Sequence, residues 1–280
     1  MSKLDVLVAT MHQTNLDKYK QMNIQTDVVL ANQSDHHEYR EENINGNIVK
    51  MITTPYRGVG KNRNMALLYS AADYLLFADD DMIYADNYEE GILKAFENLK
   101  DADVIIFKCN LTKNNVIIET LPNKIKRLNI FNCFKYGAVH FVVRRASLKK
   151  ANIWFSLLFG GGALYGSGED ALFLKECLDT KLKIYTHDFL IGNCATDEST
   201  WFKGYDEKLY YDKGAWCAAS FPLLKYLVAF KLSMRFKKLS NFSYRKSMYL
   251  LCSGIKGYKG LKTYEQFIKS SDKNKPLMGK

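Results

Sequence analysis

Three consecutive carboxylates, Asp79-Asp80-Asp81, stand directly after the uninterrupted apolar run Tyr74-Leu75-Leu76-Phe77-Ala78. Adjacent carboxylates repel one another unless a cation or strong donors neutralise them. A hard divalent ion with oxygen ligands does this, and it can also bridge a diphosphate and offset charge on a departing nucleotide. An acidic turn that caps a helix is the plainer alternative. The position at the carboxyl end of a buried strand argues for the ion.

Two further segments carry chemistry. Gly58-Val59-Gly60-Lys61-Asn62-Arg63-Asn64 opens a helical pattern, where glycines allow close backbone approach, a helix N-terminus favours anions, and Arg63 can pair with a phosphate through its planar fork. It lacks the spacing and the Ser or Thr of a Walker loop. Ser167-Gly168-Glu169-Asp170 precedes the helical run Ala171 to Leu178. Ser167 can cap that helix with Asp170 at its third position. Alternatively Asp170, or failing it Glu169, takes the proton from an attacking hydroxyl. Both roles can fall on one segment.

These pieces need strands to hold them. Leu4 to Ala9, Asp27 to Ala31, Ile48 to Ile52, Tyr74 to Ala78 and Val104 to Phe107 read as short buried strands. Between them Met65, Leu68 and Ala72 recur at helical spacing, and Tyr88 to Leu99 follows Asp86 as a candidate N-cap. Further on come a strand from Val139 to Arg144, a glycine-rich loop at Gly160 to Gly162, a helix from about Glu169 and a strand from Leu182 to Thr186. The alternation predicts an α/β fold with a mostly parallel sheet flanked by helices, its ligands gathered at the carboxyl ends of the strands.

Charge divides the chain. Of the net +10, residues 221–280 carry fourteen Lys or Arg against two acids, a net of +12, which leaves −2 on residues 1–220. The expected organisation is a folded α/β domain over 1–220 and a basic amphipathic region over 221–280. Leu223, Leu224, Leu227, Val228, Phe230 and Leu232 interleave with Lys225, Lys231 and Arg235, too many charges for a spanning helix. An amphipathic helix at an anionic membrane surface fits; so does a helix packed on the body with a solvated face. Nucleic acid is disfavoured because no recognition motif accompanies the charge. The six cysteines lie far apart with no Cys-x-x-Cys pair, a poor framework for zinc or for secreted disulfides, and the N-terminus has no signal-like apolar stretch, so the expected location is cytoplasmic, peripheral on the inner face of the membrane.

Taken in order, the three segments resemble the family 2 glycosyltransferases, especially the bacterial enzymes that build capsule, O-antigen or exopolysaccharide. The matching pieces are Val8-Ala9-Thr10, Gly60 to Asn64, Phe77 to Asp81 as the Asp-x-Asp strand end, and Gly168-Glu169-Asp170. The resemblance implies a GT-A fold, a nucleoside-diphosphate sugar donor, inversion at the anomeric carbon, and Mn2+ or Mg2+ as cofactor. By position it puts Asp79 near the ribose or metal, with Asp80 beside it. It makes Asp81 a metal ligand, sets Arg63 on the nucleotide and leaves Asp170 as the base. The second strand ends Ala31-Asn32-Gln33 where the family has paired acids; the amide of Asn32 offers a donor and an acceptor to a pyrimidine, in keeping with a UDP-linked donor. His187, Asp197 and Glu198 compete as third metal ligand. Ser199 to Tyr205, with Trp201 and Tyr205, suits a sugar platform, while core packing is the equal alternative for Phe202. The acceptor expected from the resemblance is a growing, lipid-linked glycan. A nucleotidyltransferase acting on sugar phosphates and a non-catalytic peripheral membrane protein are the alternatives.

Overall fold

The computed structural model describes residues 3–114, 116–196, 204–237 and 239–273. The apolar runs become strands β1 (Leu4–Met11), β2 (Asp27–Gln33), β3 (Glu38–Ile44), β4 (Asn47–Thr54), β5 (Tyr74–Asp79), β6 (Met82–Tyr84), β7 (Val104–Lys113), β8 (Val116–Leu121), β9 (Lys126–Arg127), β10 (Phe141–Arg144) and β11 (Ile184–Ala195). The helices are α1 (Lys18–Gln21), α2 (Val59–Tyr69), α3 (Tyr88–Asn98), α4 (Arg145–Ala151), α5 (Glu169–Asp179), α6 (Glu207–Ser220), α7 (Lys225–Phe236), α8 (Tyr244–Tyr258) and α9 (Tyr264–Lys273).

One mixed sheet runs β3-β4-β2-β1-β5-β10-β7-β11-β6, with β8 on β7 and β9 on β11. Its parallel block β4-β2-β1-β5 brings four carboxyl ends together: Ala9 lies opposite Asp79, Thr10 opposite Asn32, and Asn32 opposite Thr53. Successive side chains in these strands leave opposite faces. One face packs Val6, Val8, Leu30 and Leu76 against α1 and α3 through Tyr19, Ile92 and Phe96. The other packs Leu7, Val29 and Phe77 against α2, α4 and α5 through Ala66, Leu148 and Phe173. Both faces are therefore dry, which explains why the central strands read as continuous apolar runs.

Contacts divide the chain into two compact units, Met1–Leu157 with Asp170–Ser199, and Leu158–Glu169 with Thr200–Lys280. The expected boundary at residue 220 differs from this one because α6 belongs with the helices that follow it. In the second unit α6 and α8 cross backbone to backbone. A Cβ on Gly214 would stand 2.1 Å from the Leu251 carbonyl oxygen, and one on Gly254 would stand 1.9 Å from that of Tyr211. Among the described residues no helix is long and apolar enough to cross a membrane.

Candidate active site

The site forms where α2 enters the sheet. Gly58 has φ +123°, a left-handed value that favours glycine, and its N–H donates to Gln33 Oε1 at 2.9 Å. Gly60 lets the first turn of the helix lie against the 152–157 segment, since a Cβ there would meet the Ser156 carbonyl oxygen at 2.2 Å. Asn62, buried, donates to the carbonyls of Thr10 at 3.1 Å and Ala31 at 2.7 Å, tying the helix to the ends of β1 and β2. Asn64 exchanges two hydrogen bonds with the Phe155 backbone, at 2.9 and 2.8 Å, and this sets the Phe155 ring under the side chain before it.

That side chain is Arg63, 2% exposed. Its guanidinium lies 5.2 Å from the Phe155 ring centroid. Nη2 donates to Asp79 Oδ1 at 2.9 Å and Nη1 donates to Asp170 Oδ1 at 2.6 Å. The other Asp170 oxygen accepts from the Ala138 N–H at 3.0 Å. One buried cation therefore joins the strand-end acid to the acid that opens α5. Arg63 is thus held among carboxylates and aromatic carbon, with Nη1 and Nη2 engaged by Asp170 and Asp79, where the sequence expectation set the side chain on the nucleotide.

Asp80 turns the other way. Its carboxylate accepts from the Thr10 hydroxyl, and its carbonyl accepts from Lys18 Nζ at 3.0 Å. Thr10 is buried, so its place is to hold Asp80. Asp81 is reached by the Cys194 thiol at 3.4 Å. Although the residue as a whole is exposed, protein packs round its carboxyl, and that desolvation, with the Asp79 and then the Asp80 charge, pushes its pKa up to about 6.

Two expectations are corrected outright. Asn32 is 0% exposed, and its amide is spent on the protein: it donates to the Gln13 carbonyl at 2.9 Å and Thr53 Oγ1 at 3.0 Å, and accepts from the Gln13 N–H at 3.0 Å. It fixes the loop after β1 instead of reading a base. His187 is not at the triplet. It stands opposite Phe107 on β7, whereas Cys194, the neighbour of Asp81, stands opposite Leu111. Four residues of strand separate the two rungs, about 13 Å at ~3.3 Å per residue. Its Nδ1 accepts from the Phe189 N–H at 3.1 Å and burial lowers its pKa, as for a packed neutral imidazole.

Glu169 Oε2 accepts from the Gly168 N–H at 3.0 Å. Ser167 Oγ is buried with no hydrogen-bond partner among the described residues, so the expected Ser167 cap is not made. Asp197, Glu198, Trp201 and Phe202 lie outside the described residues. Among those described, no three His, Cys, Asp or Glu side chains converge as metal ligands. Sequence reasoning missed the aromatic pair beyond β2 and β4: exposed His37 and Tyr56 meet edge to face with centroids 5.7 Å apart. The signal was available in Pro55-Tyr56-Arg57, which lies between a strand end and a helix-opening glycine.

Residues 27–151, from β2 through α4, match the model of glycosyl transferase family 2. Over this stretch, less than half of the chain, the sequence is similar to the family 2 glycosyltransferases. It contains the Gly58 to Asn64 entry, Arg63 and the whole Asp79 to Asp81 triplet. No curated protein matches the sequence. Among solved structures, residues 1–349 of S. aureus TarS in complex with UDP-GlcNAc are similar, at 14% identity and a TM-score of 0.61, covering 96% of this chain and 92% of that one. The same protein in complex with UDP gives 16% identity and a TM-score of 0.57, over 96% of this chain and 78% of that one. A further S. aureus TarS structure gives 16% identity and a TM-score of 0.55, over 84% of this chain but only 43% of its own. The matched segment, with β1 before it and β11 after it, thus has the GT-A fold.

Proposed function

We propose that the chain is an inverting glycosyltransferase that moves a sugar from a nucleoside diphosphate, UDP in the first instance, to a hydroxyl of a surface-glycan acceptor. The observation that carries the proposal is the Arg63 bridge. It holds Asp79 and Asp170 at 2.9 and 2.6 Å from one guanidinium, so the acid on the diphosphate side and the acid on the acceptor side share one span. A single displacement needs that proximity: a proton acceptor on the attacking hydroxyl and charge neutralisation on the leaving group, with no second nucleophile. Asp170 serves as the base; the fork of Arg63 and the Ala138 N–H orient its carboxylate.

Asp81, assisted by Asp79, would hold Mn2+ or Mg2+, which when bound offsets the charge of the departing diphosphate. The donor set suits such an ion. Asp79 and Asp81 are hard oxygen donors at one strand end, and magnesium-type sites use one or two carboxylates with substrate phosphates supplying the rest. For the base we assign Tyr56 and His37, which present aromatic faces at the carboxyl ends of β2 and β4, in place of Asn32. The similarity to TarS complexes with UDP and UDP-GlcNAc supports a UDP donor. The nucleotidyltransferase alternative needs cations for a triphosphate, and Arg63 is committed to carboxylates.

Calorimetry with UDP and Mn2+ tests the assignment. Asp81→Ala should abolish the metal-dependent part of UDP binding with native circular dichroism; unchanged affinity in that variant would remove Asp81 from the site.

A further inference from the structure

The second unit presents an apolar stripe to solvent. Leu223, Leu227, Phe230 and Met234 recur at spacings of four, three and four, one face of a helix that starts at the turn before α7. They are 97%, 53%, 44% and 56% exposed. The stripe is not the packing face of α7. Ala229, Ser233 and Phe236 fill that role, with the Phe236 ring against Tyr205 and Tyr210 at centroid distances of 5.5 and 5.4 Å. The helix thus has two apolar faces and buries one.

The chain that forms and flanks the open face carries charge of a single sign. Residues 213–264 contain eleven Lys or Arg and no Asp or Glu. Lys231, Arg235 and Lys237 are exposed beside the stripe, and among the described residues no acid forms an ion pair with any of them. An apolar strip edged only by cations narrows the choice of occupant. A second copy of the chain would bring cations against cations, which repel on desolvation. A nucleic acid would satisfy the cations and leave Leu, Phe and Met facing phosphates. A bilayer satisfies both, since acyl chains take the stripe and anionic headgroups take the rim.

We infer that the Leu223-Leu227-Phe230-Met234 face of α7, edged by Lys231, Arg235 and Lys237, docks on an anionic lipid bilayer, lying in its interface rather than crossing it. Docking there would confine the proposed transfer to a membrane surface. The inference rests on the proposed function only in that respect, because vesicle binding needs no nucleotide sugar. Failure of one leaves the other standing.

The test is flotation of the full chain with vesicles of phosphatidylcholine alone or with about a third phosphatidylglycerol, at low salt and at ~0.5 M NaCl. The intact protein should float with the anionic vesicles at least about tenfold more than with neutral ones at low salt, and keep part of that binding at high salt through apolar insertion. Phe230→Ser with Met234→Ser should lose the salt-resistant part; Lys231→Glu with Arg235→Glu should lose the low-salt part. All four side chains are exposed, and circular dichroism checks the fold. Should a variant misfold, the lipid and salt arms on the intact chain still decide. No flotation, or equal flotation with neutral vesicles, overturns the inference. So does a lipid-free dimer in gel filtration that Phe230→Ser with Met234→Ser makes monomeric, because a second copy then covers the stripe.

Discussion

At the scale of single residues the site depends on Arg63. A cation 2% exposed, carrying two carboxylates and resting on an aromatic ring, organises its neighbours more than it contacts ligands from solvent. Lysine keeps the charge but not the fork, and it cannot reach both acids in plane. Arg63→Lys should therefore lower stability by roughly 1–3 kcal/mol, tempered by the solvent that still reaches Asp79 and Asp170. Turnover should fall much further than UDP affinity, because Asp170 loses its orientation; thermal unfolding beside UDP calorimetry separates the two. Equal losses in turnover and UDP affinity would return Arg63 to the nucleotide. The acids were legible in the sequence because a run of apolar residues ended in three carboxylates, and because Glu169-Asp170 opened a helix. The role of Arg63 was not, since a surface arginine and a buried one look alike without partners 16 and 107 residues away.

At the scale of elements, α2 shows why hydrophobic periodicity misdirects at a functional site. The expected inner face was Met65, Leu68 and Ala72, yet Leu68 is 65% exposed and Ala72 lies beyond the helix. The buried positions are Gly60, Asn62, Arg63 and Ala66, because this helix turns polar side chains toward strand ends that must be tied and charged. The edge strand β3 was missed for a related reason: Glu38 to Glu42 is charged, as edge strands commonly are. Alanine at Gly60 normally favours a helix, but here its Cβ meets a backbone oxygen at 2.2 Å and overpacking wins. Gly60→Ala should cost about 1–3 kcal/mol, read as a lower melting temperature. The packing of β10 carries a pH signature. His140 is buried with Nδ1 2.9 Å from the Phe107 carbonyl, and burial holds its pKa below the usual 6.5. The folded state resists protonation that the unfolded chain accepts, so this contribution is full above about pH 6.5 and is lost as pH falls below it. Melting temperatures of His140→Asn and the parent should converge as the pH is lowered from about 7 to about 5, the parent losing more. Parallel curves would mean that His140 titrates normally.

At the scale of the whole molecule, one unit is close to neutral and the other strongly basic, and the sequence showed that division more readily than its boundary. The sign change at residue 220 is a matter of composition, whereas the contact boundary depends on Gly214 and Gly254 admitting a backbone crossing, which no local pattern announces. The GT-A sheet was legible because strands with both faces buried read as apolar runs. The short β6 and the joining of residues 158–169 to the second unit depend on pairings distant in sequence. The central claim is that the Asp79 to Asp81 strand end and Asp170 form one sugar-transfer centre. Its most direct measurement is release of UDP from a panel of UDP-sugars with Mn2+, made on the parent chain and on Asp170→Asn. Asp170→Asn keeps the shape of the side chain and loses the proton acceptor. The account predicts metal-dependent release for at least one sugar, a loss of roughly 10²-fold or more in Asp170→Asn, and unchanged UDP binding. Release at the parental rate by Asp170→Asn, or none from any sugar, would contradict it.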